Sequence, residues 1–211
     1  KILLYGQSGA GKTTLWATFP KPILCLICSG GTKPGELRSI DTPEYRKVID
    51  PRVVVSTDQI KDMIADAARF ATVVLDHVSG LQDLTLKEIL GIDEMPAQKS
   101  WGMASQQQYG QSTLQCKEIL RALLSLDGNV VIVGQERSNE GGDDSDVQLP
   151  TVGVAVTPSL AMWLNPSVDY ICQTFKRPRM EQVKNTVGGK VVTMERRGKG
   201  VDYCLRTAPH D

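Results

Sequence analysis

Neither sign of charge prevails in this sequence: 24 lysines and arginines face 24 aspartates and glutamates, and the formal net charge is zero. That excludes a whole-molecule field drawing in a polyanion, so any such contact must come from a local patch. Long apolar runs are missing as well. None approaches the ~20 residues a membrane span needs, and no signal-peptide pattern opens the chain. There are no internal repeats. Cysteine is sparse and scattered, with five residues at 25, 28, 116, 172 and 204. An odd, dispersed set argues against a disulfide framework and for a reducing compartment. Cys25 and Cys28 do form a C-x-x-C, but inside the strand-like "PILCLICS" they would point to opposite faces, about 10 Å apart along the axis. No second Cys or His pair lies close enough to complete a metal site with them.

What is present fits a globular chain: 41% apolar and 23% charged residues over 211 positions, a mixture typical of soluble domains. A chain of that length buries roughly 70% of its unfolded surface, so one domain spanning 1–211 needs no staples. It opens inside an apparent first strand, "KILLYG", and is expected to be part of something longer. Strand-like runs at 2–5, 22–28, 53–56, 72–76 and 129–134 alternate with helix-period segments from about 12, and at 58–70, 80–90 and 104–126. This alternation predicts an α/β fold, a mainly parallel central sheet flanked by helices. Ser56 with Gln59 has the spacing of a capping box, and Gly91 that of a C-cap. Two stretches, 91–110 and "ERSNEGGDDSDVQLPTVGVAVTP", read as long loops of the kind that usually carry function. "SVDYICQTF", "GKVVTMERR" and "GVDYCLRT" read as three antiparallel C-terminal strands.

One motif carries chemistry by itself. "GQSGAGKT", Gly6-Gln7-Ser8-Gly9-Ala10-Gly11-Lys12-Thr13, is G-x-x-x-x-G-K-[ST] in full, after an apolar strand and before a helix continuing through Thr14. In that context the glycines let backbone N–H groups curl round a β-phosphate, aided by the positive end of the helix. Lys12 reaches the β- and γ-phosphates, and the Thr13 hydroxyl ligates Mg²⁺. Asp76, closing the run "VVLD", is the natural partner for a magnesium-bound water; its alternative is a helix N-cap. Gln135, closing "NVVIVGQ", can address the γ-phosphate or the attacking water; its alternative is a solvated strand end. The expected cofactors are therefore ATP and Mg²⁺.

On these residues the chain resembles the RecA-like P-loop ATPases. Within that group it resembles the short phage-encoded members associated with single-strand annealing recombination. The resemblance runs through the phosphate loop, Asp76, Gln135 and the late "DYCLRT". It implies ATP hydrolysis coupled to single-stranded DNA binding by two loops, here about 91–110 and 137–160. It further implies rings or filaments with sites at subunit junctions, a possible single-strand-binding protein as partner, and a cytoplasmic, phage-encoded setting.

The chain departs from that family where the catalytic glutamate belongs. His77 follows Asp76, and Cys28-Ser29 ends the neighbouring strand. Three readings follow: Glu36 in the glycine-rich "SGGTKPGELRS" as base, His77 as base, or a slow ATP switch without a dedicated base. Glu36 is the favoured candidate. Two basic clusters sit late, around Lys176, Arg177 and Arg179 and around Arg196 and Arg197. They read as phosphate-backbone contacts, as trans-acting arginine fingers in the case of Arg196 and Arg197, or as solvated strand ends. Lys99, Trp101 and Tyr109 could stack on and hold single-stranded bases. The leading expectation is a DNA-dependent recombination ATPase. The alternative is a non-enzymatic or slow ATP-switched loading module for a replication or repair partner. A small-molecule kinase would want an Arg-rich lid, which the Gln- and Asp-rich loops do not supply.

Overall fold

A computed structural model describes residues 1–28, 35–92, 104–139, 151–187 and 190–207. The chain begins with β1 (Ile2–Gly6), α1 (Lys12–Trp16), β2 (Ile23–Ile27), β3 (Ile49–Val53) and α2 (Thr57–Ala65). It continues with β4 (Thr72–Asp76), α3 (Val78–Leu90), α4 (Gln106–Leu124), β5 (Asn129–Asn139) and β6 (Thr151–Val154). It ends with α5 (Pro158–Leu164), β7 (Tyr170–Val187) and β8 (Lys190–Arg206). The strands join in the order β3-β2-β4-β5-β1-β7-β8, with β6 attached to β5. From β3 to β7 every pairing is parallel, while β5–β6 and β7–β8 are antiparallel. The expected α/β architecture, with antiparallel strands at its C-terminal end, is what forms.

The runs of β-branched and apolar residues follow from burial on both faces. In β4, Val73 and Leu75 face one core and Val74 the other; in β5, Val130 and Ile132 oppose Val131 and Val133. The first core is covered by Ile60 of α2, Leu81 of α3, Ile119, Leu120 and Leu123 of α4, and Leu160 and Leu164 of α5. The second is covered by Trp16 and Ala17 with Ile40. Cys25 and Cys28 enter opposite cores. No helix among the described residues is long and apolar enough to cross a membrane.

Four local readings change. The strand expected at 53–56 lies at Ile49–Val53 and contains Pro51. As the sheet's edge, β3 tolerates a residue without an N–H. The helix expected to reach residue 70 stops at Ala65. There the Asp66 carboxylate accepts from Arg52 (3.1 Å) and Arg69 (2.9 Å), and a 3-10 turn, Ala67–Arg69, takes over. The long loop expected after residue 135 contains the rest of β5 and then β6, and ends at the first residue of α5. Proline at the first position of α5 starts a helix without losing a hydrogen bond. The three C-terminal strands are two, because Gly198-Lys199-Gly200 is not a turn. The register jumps from Pro178↔Val201 to Met180↔Arg197, so that tripeptide bulges opposite Arg179.

Candidate functional site

β1 ends in the middle of the sheet, between β5 and β7, and the chain turns there through the phosphate loop into α1. Gly9 and Gly11 hold φ of 71° and 86°, left-handed conformations in which only glycine avoids a Cβ penalty. Gly11 caps α1 without any side-chain bond to the helix's first N–H groups. Residues Ser8 to Leu15 line one side of a cavity of about 920 Å³. Lys12 Nζ spans the loop, donating to the carbonyls of Gly6 (2.6 Å) and Gln7 (2.9 Å). Burial lowers its pKa from the ordinary value, while the negative charges of Asp76 and Glu136 act in the opposite sense.

Asp76 and Gln135 line the same cavity, on adjacent strands. Asp76 is only 6% exposed, and one carboxylate oxygen accepts from the indole N–H of Trp16 at 3.2 Å. The cap of α3 is His77, not Asp76: His77 Nδ1 accepts from the Gly80 N–H at 2.9 Å. Because β4 ends at Asp76, strand alternation no longer governs residue 77, and the His77 side chain also lines the cavity. Its Nε2 lies 3.2 Å from the Gln135 amide nitrogen. With Nδ1 used as the cap acceptor, a neutral ring carries its proton on Nε2. Gln135 then turns its oxygen toward His77, leaving its NH₂ as a donor for another group.

The site fits a nucleoside triphosphate with magnesium. The loop offers backbone donors and an ammonium, and Thr13 and Asp76 bring a hydroxyl and a carboxylate to one cavity. Mg²⁺ takes just one or two protein oxygens together with phosphate and water. The described residues contain no cluster of three or more His, Cys, Asp or Glu side chains that could hold a metal.

Several contributors were not visible in the sequence reading. Arg38 and Ser39, in the 3-10 turn Gly35–Ile40, line the cavity, as do Thr18, Thr174, Tyr203, Cys204 and Leu205. Glu136 accepts from Gln7 Nε2 (3.2 Å) and Gln173 Nε2 (3.0 Å), joining the phosphate loop to β7. Burial first, and the Glu136 charge second, raise the pKa of Tyr5 on the strand leading into the loop.

The remaining candidates are dispersed. Glu36 belongs to the Gly35–Ile40 turn, its side chain outside the described set. Lys99 and Trp101 lie outside the described residues, as do most of the segment 91–110 and residues 140–150 of the second loop. Tyr109 is exposed on the first turn of α4. Arg196 and Arg197 are exposed on β8, opposite Glu181 and Met180, and do not line the cavity. Arg177 is exposed opposite Asp202, and Arg179 donates to Asp202 at 2.9 Å. Lys176 stands apart from both, beside Gly9 of the phosphate loop.

A family model described as an AAA domain matches residues 1–210. No curated protein matches the chain.

Proposed function

Because the chain belongs to the AAA domain family, a P-loop ATPase family, we propose that it hydrolyses ATP as an oligomer acting on single-stranded DNA, in recombination or annealing. The observation carrying the ATPase reading is the convergence of Lys12, Thr13, Asp76 and Gln135 on one cavity from α1, β4 and β5. Lys12 and the loop's N–H groups bind and orient the phosphate chain. Thr13 and Asp76 would hold Mg²⁺, which would supply positive charge to the phosphate chain. The NH₂ of Gln135 orients the attacking water or marks the γ-phosphate. His77 acts on Gln135 from its place as the α3 cap, and with Nδ1 so engaged it is a poor base. Glu36 remains the proposed base. In support of the DNA reading, Arg177, Arg196, Arg197 and Lys199 are all exposed on the β7–β8 hairpin, cations suited to a phosphate backbone or a neighbouring subunit.

A second reading, a slow ATP-driven switch, is favoured by one observation. Among the described residues Asp76 is the only carboxylate lining the cavity. ATPase rate and oligomeric state, each measured with and without single-stranded DNA, separate the two. DNA-stimulated turnover that is lost in Lys12→Ala supports the first. Tight ATP binding with turnover indifferent to DNA supports the second.

A further inference from the structure

The β7–β8 hairpin does more than extend the sheet, because its base leans across the phosphate loop. β7 pairs directly with β1, placing Thr174 beside Gly6. Two residues on, Lys176 faces Tyr203 across the hairpin. A Cβ placed on Gly11 would come within 3.3 Å of the Tyr203 ring, and one placed on Gly9 within 3.4 Å of Lys176 Nζ. Tyr203 is 64% exposed, yet its ring forms part of the cavity wall. The ring covers one glycine of the loop while the ammonium directly across the hairpin covers the other.

The charge of Lys176 is also uncommitted. Arg179 is engaged with Asp202. Arg206 stacks on Phe175 at 5.0 Å and approaches Gln173. Among the described residues no ion pair or hydrogen bond engages Lys176. An ammonium without a carboxylate, held over the backbone of a loop built for phosphates, is placed for an anion and not for the protein. The loop's own lysine approaches from the start of α1. Lys176 does not itself line the cavity, but Gly9, beside its Nζ, does, so a turn of this flexible side chain would bring a second cation to the same phosphate chain.

From this geometry we infer that Lys176 is an in-cis ligand of the nucleotide's phosphate chain, carried to the loop by the hairpin on which it pairs with Tyr203. The inference rests on the loop binding a nucleoside triphosphate. It moves Lys176 out of the DNA-contacting cluster and leaves Arg177, Arg196 and Arg197 in it.

The test is ATP binding by the full chain with Mg²⁺, measured calorimetrically for wild type, Lys176→Met, Lys176→Arg and Lys12→Ala. Loss of one charge-assisted bond should weaken ATP binding by about ten- to a hundredfold in Lys176→Met. Lys176→Arg should keep most of the affinity, a rescue that a purely structural role would not produce. The salt dependence of single-stranded DNA binding should be unchanged, since a lost backbone contact would flatten it. Lys176 is exposed, so the melting temperature should not move; Lys176→Gln serves as the second variant if the methionine substitution impairs folding. ATP affinity in Lys176→Met within twofold of wild type overturns the inference, more so if DNA binding falls instead. Failure of the underlying reading looks different: wild type then binds no ATP, or Lys12→Ala binds as tightly as wild type, and both proposals fall.

Discussion

Replacing Trp16 by phenylalanine tests the internal logic of the site. Trp16 is fully buried, packed among Leu4, Ile23, Cys25, Val74 and Val133. Its indole N–H donates to Asp76 at 3.2 Å. Thr13 and Trp16 are three apart on α1 and so share a helix face. One short helix thus carries both the hydroxyl proposed to ligate Mg²⁺ and the donor to the carboxylate on β4. Phenylalanine keeps an aromatic ring but removes the donor and part of the volume. A hydrogen bond to a charged acceptor contributes about 1.5–3 kcal/mol, and the smaller ring adds about 1 kcal/mol of lost packing. The expected destabilisation is about 2–4 kcal/mol, roughly 5–15 °C in melting temperature for a domain of this size. A double-mutant cycle with Asp76→Ala, read by urea unfolding, isolates the bond. In that background Trp16→Phe should cost only its packing share, giving a coupling of at least ~1 kcal/mol. Trp16→Phe should also raise the Mg²⁺ concentration needed for half-maximal turnover. A cycle that closes within the ~0.5 kcal/mol expected of independent sites would refute the claim that Trp16 holds Asp76.

The lowered pKa of Lys12 has a consequence for binding. Burial disfavours its charged form in the free protein, and a bound triphosphate favours it. ATP binding should therefore take up protons at alkaline pH below the ordinary lysine value of 10.5, and affinity should fall as pH rises through the free protein's value. Calorimetry in buffers of different ionisation enthalpy reads this uptake, which Lys12→Ala should abolish. Gly80→Ala would put a Cβ 1.8 Å from the Cys28 carbonyl oxygen and should cost ~3 kcal/mol or more in urea unfolding. Gly110→Ala, where a Cβ meets nothing within 4 Å, should be neutral or stabilise α4 by ~0.5–1 kcal/mol. Glu36→Gln should reduce turnover by about 10²-fold or more with ATP binding kept; unchanged turnover would eliminate Glu36 as base. Arg197→Ala mixed with Lys12→Ala should recover part of the oligomer's ATPase if Arg197 acts in trans, whereas a DNA-contact role predicts no recovery.

What could be read from the chain alone divides by distance along it. The phosphate loop is eight consecutive residues, and its strand-before, helix-after context is local, so it was legible at once. The buried strands were legible for a similar reason, since "VVLD" and "NVVIV" signal burial on both faces without reference to any partner. Tyr203, Arg38, Thr174 and Glu136 are different. Each reaches the phosphate loop or the cavity beside it only through packing or sheet register, and nothing near them in the sequence marks it. The tripeptide Gly198-Lys199-Gly200 misled because glycine pairs suit a turn and a bulge equally. Only the length of chain opposite decides between them, and here a single residue, Arg179, faces all three. α5 is seven residues long, too short for periodicity, and its one sign is the Thr157-Pro158 start.

The phosphate loop and the basic hairpin, at opposite ends of the sequence, share one corner of the fold. The approach is tightest at Gly6, where a Cβ would stand 2.2 Å from the Thr174 carbonyl oxygen. Any side chain there would drive β7 away from the loop. From Gln7, a chain of bonds runs through Glu136 to Gln173 and on to Arg206 of β8. Glu136 is the junction, because its two oxygens are divided between the loop and the hairpin. Lys12 donates to the carbonyls of Gly6 and Gln7, on the loop side of that junction. The residue bonded to Gln7's side chain is also the neighbour of Gln135, whose amide addresses the cavity. One carboxylate thus links the phosphate loop, β5 and the hairpin. The exposed cations farther out, at Arg196 and Arg197, sit on that same hairpin.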